Sequence, residues 1–102
     1  LKLLTKEITK KLPELYSNED KKPEDVKVIV KFFDPMGSFT WYATEFDGKD
    51  TFFGYVRGHC NELGYFSLSE LESIGKQRML GIERDRHFGF KNTLMDVMLK
   101  QL

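Results

Sequence analysis

The densest run of chemistry-bearing side chains is Glu83-Arg84-Asp85-Arg86-His87. On an extended backbone, alternation sends Glu83, Asp85 and His87 to one side and Arg84 and Arg86 to the other. Two carboxylates sharing a side with an imidazole suit a metal ion or acid–base catalysis. The two arginines suit a carboxylate or phosphate. A solvated edge strand, whose mixed charges discourage edge pairing, explains the same residues without chemistry. His59 and Cys60 are adjacent, but neighbouring side chains on an extended backbone diverge, and a nucleophilic cysteine usually takes its base from elsewhere in the chain. His87 is the candidate distant partner. A zinc site wants about four ligands, so one cysteine and two histidines would need a carboxylate to complete it. Glu45, Asp47 and Asp50 surround a turn and could share a divalent cation, although turn chemistry already accounts for Asp47. No phosphate-cradling glycine loop, nucleophile elbow or zinc knuckle is present, so no catalytic residue, metal or cofactor is assigned.

A different kind of site comes from the aromatic residues. Phe32, Phe33, Phe39, Trp41, Tyr42, Phe46, Phe52, Phe53 and Tyr55 crowd one stretch of the chain. One face of a sheet can bury part of this set; rings on the second face must be covered by helices or left exposed. The candidate binding surface is therefore Trp41, Tyr42, Phe53 and Tyr55, with Arg84 and Arg86. Nucleic-acid bases could stack on such rings if Lys27, Lys31, Arg57, Arg84 and Arg86 met the phosphates. The 16 basic and 16 acidic residues cancel to a net charge of +0, so no global field attracts a polyanion. Aromatic patches serve protein partners without net charge, which favours a protein over a nucleic acid.

The elements that must position these residues can be read from periodicity. Leu4, Ile8, Leu12, Leu15 and Tyr16 recur at helical spacing, predicting an N-terminal helix over Thr5 to Tyr16 with Thr5 as N-cap and a kink or restart at Pro13. Ser17 to Asp25 is polar and predicts an exposed connector that adds nothing to the core. Val26 to Phe33 predicts a strand with Val26, Val28, Val30 and Phe32 on one face. Asp34-Pro35-Met36-Gly37-Ser38 is a turn in which glycine would supply a positive φ. Strands succeed it over Phe39 to Phe46 and Thr51 to Arg57, joined by a four-residue loop at Asp47-Gly48. After a loop over Gly58 to Glu62, a short strand from Leu63 to Ser67 leads into a helix capped by Ser67 and Glu70, stopped by Gly75. Lys76 to Gly81 is a connector, Ile82 to Phe90 an extended edge, and Asn92 or Thr93 caps a last helix with Leu94, Met95, Val97, Met98, Leu99 and Leu102 apolar. The expected fold is α+β: an antiparallel sheet of about four strands with N-terminal, short middle and C-terminal helices.

With 102 residues, 40% of them hydrophobic, the chain suits one domain over residues 1–102. A lone cysteine cannot close an internal disulfide, and Leu1-Lys2-Leu3-Leu4 runs straight into a charged helical pattern rather than an apolar leader core. Nothing is long enough to span a bilayer. These features imply a cytoplasmic protein without a membrane partner, a monomer or a weak homodimer through the C-terminal apolar stripe.

The run Trp41-Tyr42-Ala43-Thr44-Glu45-Phe46-Asp47-Gly48, with Phe52-Phe53-Gly54, Leu63-Gly64-Tyr65-Phe66-Ser67-Leu68 and Ile82-Glu83-Arg84-Asp85, resembles an uncharacterised bacterial single-domain family common on plasmids, phages and integrative elements. The resemblance spans nearly the whole chain, from Leu3-Leu4-Thr5 and Leu12-Pro13 onward. It implies a mobile-element setting and a self-contained fold, with no catalytic residues to carry over. The chain departs from the pattern at Gly89-Phe90-Lys91-Asn92, where a proline-rich entry to the last helix is expected. Three functions are consistent with this reading: a mobile-element accessory protein that binds another protein, as a modulator of host defence or conjugation; a nucleic-acid-binding module; and a small metal-dependent enzyme built on Glu83, Asp85 and His87.

Overall fold

Thr5 opens the first helix because its Oγ1 accepts the Ile8 N–H at 3.1 Å, and Pro13 closes it. Helix α1 covers Lys6–Lys11 and ends at Leu12, whose φ of −75° and ψ of 118° are the extended angles that a residue before proline prefers. The helix expected to continue to Tyr16 therefore stops a full turn early. These observations come from a computed structural model that describes residues 2–76, 78–100 and 102. Leu1 and Gln77, which the leader and connector readings include, and Gln101 lie outside the described residues.

Among the described residues, five antiparallel strands form one sheet: β1 (Val30–Phe33), β2 (Thr40–Phe46), β3 (Thr51–Arg57), β4 (Asn61–Ser67) and β5 (Glu83–Arg84), in the order β4-β3-β2-β1-β5. The fifth strand, β5, is a two-residue edge inside the extended edge expected over Ile82 to Phe90, and it pairs Phe32 with Arg84 and Phe33 with Glu83. The β2–β3 hairpin closes as its sequence requires. Asp47 Oδ1 accepts the N–H groups of Lys49, Asp50 and Thr51 at 2.8, 2.8 and 3.0 Å, and Gly48 takes the positive φ of 84°. Gly37 in the other turn does not adopt a positive φ; there Asp34 Oδ1 accepts the Met36 N–H at 2.9 Å and carries the turn itself. Strand β4 begins two residues before the expected Leu63, leaving only residues 58–60 as the turn.

Two cores sandwich the sheet. On one face, Phe32, Trp41, Phe46, Phe52 and Phe66 pack with Leu3 and Leu12, and with Leu71 of helix α2 (Leu68–Ser73). Phe52 is the hub, with Phe46 and Phe66 stacked at 4.5 and 5.2 Å. On the other face, Val26, Val28, Tyr42 and Tyr55 pack under Leu94 and Val97 of helix α3 (Leu94–Leu99). The valines expected on one face are thus divided between two. Val26 and Val28 join the second core while Ile29 and Val30 both join the first, so alternation breaks just before β1 begins.

Short polar side chains fasten the helices. Ser67 Oγ accepts the Glu70 N–H at 3.1 Å, although the Glu70 carboxylate meets the Ser67 hydroxyl rather than its backbone. Asp50 accepts both the N–H and the hydroxyl of Ser69, at 2.8 and 2.9 Å, and so ties the hairpin to the start of α2. Thr93 and Asp96 form a reciprocal capping box at α3. At its other end, Arg57 Nη2 donates to the carbonyl oxygens of Val97 and Lys100, satisfying acceptors that the helix leaves open.

Three of these carboxylates make the fold acid-sensitive. The Arg78 guanidinium, 2.6 Å from Asp34, holds that carboxyl below its usual range. Backbone N–H donors do the same for Asp47 and, from Thr93, for Asp96. A carboxyl whose folded value lies below its unfolded value contributes stability above the unfolded value and loses it as pH falls through the folded one. The melting temperature is expected to fall progressively below about pH 4. In an Asp47→Asn/Asp96→Asn variant that acid limb should be shallower; an unchanged slope would refute the assignment.

Candidate functional site

The second face is not fully covered. Helix α3 packs over Tyr42 of β2 and Tyr55 of β3, and beside it a groove of ≈ 370 Å³ remains, lined by Val26 and Leu94, by residues 16–23 and by Phe53, Leu63 and Tyr65 of β3 and β4. Its floor is set by strand alternation. Phe53 pairs with Tyr65 and Tyr55 with Leu63, and their neighbours Phe52 and Phe66 are in the opposite core, so Phe53, Leu63 and Tyr65 share the groove side. Tyr65 is 56% exposed and Leu63 45%. The Phe53 and Tyr65 rings meet edge to face at 5.1 Å.

A β-bulge supplies the remaining part. The β2–β3 register shifts between Ala43 and Glu45, leaving Thr44 unpaired with its Oγ1 donating to the Phe53 carbonyl at 3.1 Å. One inserted residue reverses the parity of the rest of the strand. Phe46 turns into the aromatic core beside Phe52, and Glu45 turns to the groove face. Glu45 is only 5% exposed. Its Oε1 accepts the Tyr16 N–H at 2.7 Å and its Oε2 the Asn18 N–H at 3.0 Å, which clamps the polar connector onto the sheet. Phe46 N–H donates to the Pro13 carbonyl at 2.9 Å and holds the same segment from its other end. The connector expected to be free of the core thus forms a wall of the groove. Tyr16, at φ 72°, stands in the left-handed region and presents a 63% exposed ring. The Tyr16 phenol beside Tyr65, followed by burial, pushes the Tyr65 phenol above its usual range, with the Glu45 and Glu19 carboxylates acting in the same direction.

Of the binding surface drawn from sequence, Trp41, Tyr42 and Tyr55 are buried, Trp41 in the first core and the two tyrosines in the second. Tyr42 donates its hydroxyl to the Leu102 carbonyl at 2.8 Å, and burial raises its phenol. These three rings serve packing, and their place at the surface is a correction. Phe53 is half-buried in the groove; Tyr16, Leu63 and Tyr65 join it there, although sequence reasoning did not single them out as a site. Arg84 Nη1 donates to the Lys2 carbonyl, and Arg86 is exposed beyond β5. The opposite edge of the sheet is β4, so the arginines and the groove do not form one patch.

Two of the basic residues weighed for phosphates have other partners: Lys31 pairs with Asp85 at 3.4 Å, and Arg57 closes α3. Glu83, Asp85 and His87 do not converge, because β5 ends at Arg84 and Asp85 Oδ1 turns back to accept the His87 N–H at 2.9 Å. His59 lies in the β3–β4 turn with its ring edge-on to Phe39 at 5.3 Å, beside the exposed Cys60, whereas His87 comes after the far edge strand. Glu45, Asp47 and Asp50 point to a connector, a turn and a helix start, respectively. Among the described residues, no group of three or more His, Cys, Asp or Glu side chains could hold a metal ion. No described helix is long and apolar enough to cross a membrane.

Fold and groove define a small α+β protein whose antiparallel sheet is covered on one face and incompletely covered on the other, with an aromatic groove in the gap. The chain belongs to a family of proteins of unknown function, DUF2958, whose model matches residues 3–99. No curated protein and no solved structure matches it.

Proposed function

We propose that this is a non-enzymatic cytoplasmic accessory protein of a mobile genetic element, and that it acts by binding another protein through the groove lined by Tyr16, Phe53, Leu63 and Tyr65. One observation carries the reading: three large side chains, Tyr16, Leu63 and Tyr65, are 63%, 45% and 56% exposed around one concavity, in a chain whose other strand aromatics are largely packed away. Aromatic and leucine side chains clustered in a concave, partly desolvated site are what protein interfaces use as anchors. The adjoining edge strand β4 strengthens it. Seven residues long and free of lysine and proline, it has Glu62 as its one charged side chain against pairing with another chain. The mobile-element setting rests on the resemblance of the Trp41–Gly48 and Leu63–Leu68 motifs to a family carried on such elements, and a host defence or conjugation component is the partner class that setting favours.

The test compares the tagged protein with a Leu63→Ser/Tyr65→Ala variant in pull-downs from the native host. Both side chains are exposed, so the melting temperature is expected to change by only a few degrees, while a defined partner is lost, its recovery falling by about tenfold or more. An identical set of retained proteins for both would overturn the proposal.

A further inference from the structure

The groove is lined by more than rings. Two carboxylates, Glu19 and Glu45, and one ammonium, Lys21, stand with Tyr16, Phe53 and Tyr65, leaving an excess of negative charge beside three aromatic π systems. Glu45 is the more telling of the two. At 5% exposure it is almost wholly withdrawn from water, and its only partners among the described residues are the neutral backbone N–H groups of Tyr16 and Asn18. A buried charge is ordinarily met by an opposite charge. The two ion pairs among the described residues are Lys31–Asp85 and Arg78–Asp34; Lys21 pairs with neither groove carboxylate. The rings repeat the pattern. Lys11 sits 4.7 Å from the centre of Phe90 and Arg57 5.5 Å from that of Tyr55, yet no described cation stands over Tyr16, Phe53 or Tyr65.

Resting on the docking reading above, we infer that the groove receives a cationic side chain, arginine or lysine, presented by an extended segment of the partner protein. Ring faces carry negative quadrupole potential, and a half-enclosed site strengthens their attraction for a cation by removing competing water. A carboxylate behind the rings adds a charge that acts over the same few ångströms. An anionic or purely apolar segment would leave Glu45 without a counter-charge and place its own groups against the π faces. Lys21 is the internal competitor, since its flexible stem lets the ammonium reach the same rings.

The experiment titrates isotopically labelled full-length protein, at low salt, with acetylated, amidated Gly-Arg-Gly-Arg-Gly and its glutamine counterpart, following backbone amide signals. The arginine peptide is expected to shift the Phe53, Leu63 and Tyr65 signals and to bind about tenfold more tightly than the glutamine peptide. Two variants keep the test independent of unfolding. Tyr16→Gly removes a ring at a position where φ 72° suits glycine, and Tyr65→Ala removes an exposed one. Each should weaken the arginine peptide about five- to tenfold with an otherwise unchanged spectrum, whereas Lys21→Ala should tighten it. Equal binding of the glutamine peptide at the groove would overturn the cation inference and leave the docking proposal standing. Shifts away from the groove, or indifference to both ring variants, would overturn the inference as well. No response to either peptide, together with unchanged partner capture by Leu63→Ser/Tyr65→Ala, would overturn both.

Discussion

Replacing Gly54 with alanine is expected to cost at least about 4 kcal/mol, among the largest effects a single methyl group can have. Gly54 lies at the centre of β3, opposite Ala43 of β2 and Gly64 of β4, next to the bulge at Thr44. A Cβ built there falls 1.8 Å from the Tyr42 carbonyl oxygen, 2.8 Å from its carbonyl carbon and 3.0 Å from Ala43 Cα. All three are backbone atoms of the central strand, so no rotamer change relieves the overlap. The β2–β3 pairing must open, and with it the bulge that turns Phe46 inward and Glu45 outward. Thermal melting should shift down by on the order of 20 °C, if the variant folds at all. The control is the facing glycine, Gly64, whose added Cβ meets nothing within 4 Å. Gly64→Ala should lie within about 0.5 kcal/mol of the parent or be slightly more stable, because alanine loses less backbone entropy in a strand. A Gly64 variant as damaged as the Gly54 variant would show that general loss of strand flexibility, and not the clash with β2, is responsible.

The contrast between these glycines marks where sequence reasoning stops. Local signals were legible: Thr5, Ser67 and Thr93 cap their helices, and Asp47-Gly48 closes the hairpin at the expected length. Each depends on residues only a few positions apart. Face assignment was less accessible because it depends on parity, and parity is reset wherever the ladder is irregular. The break before Val30 divides three valines and a phenylalanine between two cores, and the bulge at Thr44 reverses Glu45 and Phe46. A trace of the second was visible: Trp41 and Ala43 alternate as core residues, but the next large apolar residue is Phe46 rather than position 45. Tyr16 was hidden for another reason. Its spacing from Ile8 and Leu12 is helical, and only the early stop at Pro13 frees it to swing onto the sheet. Groove rings therefore became identifiable once two irregularities, one in a strand and one at a helix end, were in place.

Glu45 joins those irregularities, and its replacement is expected to show it. Glu45→Ala should cost about 3 kcal/mol, since it removes two charge-assisted hydrogen bonds and leaves the Tyr16 and Asn18 N–H groups without acceptors. Glu45→Gln should cost about 2 kcal/mol: an amide offers one carbonyl oxygen and turns an NH₂ donor toward the second N–H. The loss should be local before it is global. Tyr16 holds a left-handed φ of 72°, a conformation that costs a tyrosine on the order of 1 kcal/mol and persists only under restraint. With the clamp weakened, residues 14–22 should detach first, so that hydrogen exchange at the Tyr16 and Asn18 amides accelerates and protease cleavage appears in that segment while the β2–β3 amides stay protected. A Glu45→Gln variant with parent-like exchange at both amides would remove the clamp from the account. If exchange does accelerate, partner capture should weaken with Phe53, Leu63 and Tyr65 all intact, because the wall carrying the fourth groove side chain, Tyr16, is then no longer held against them.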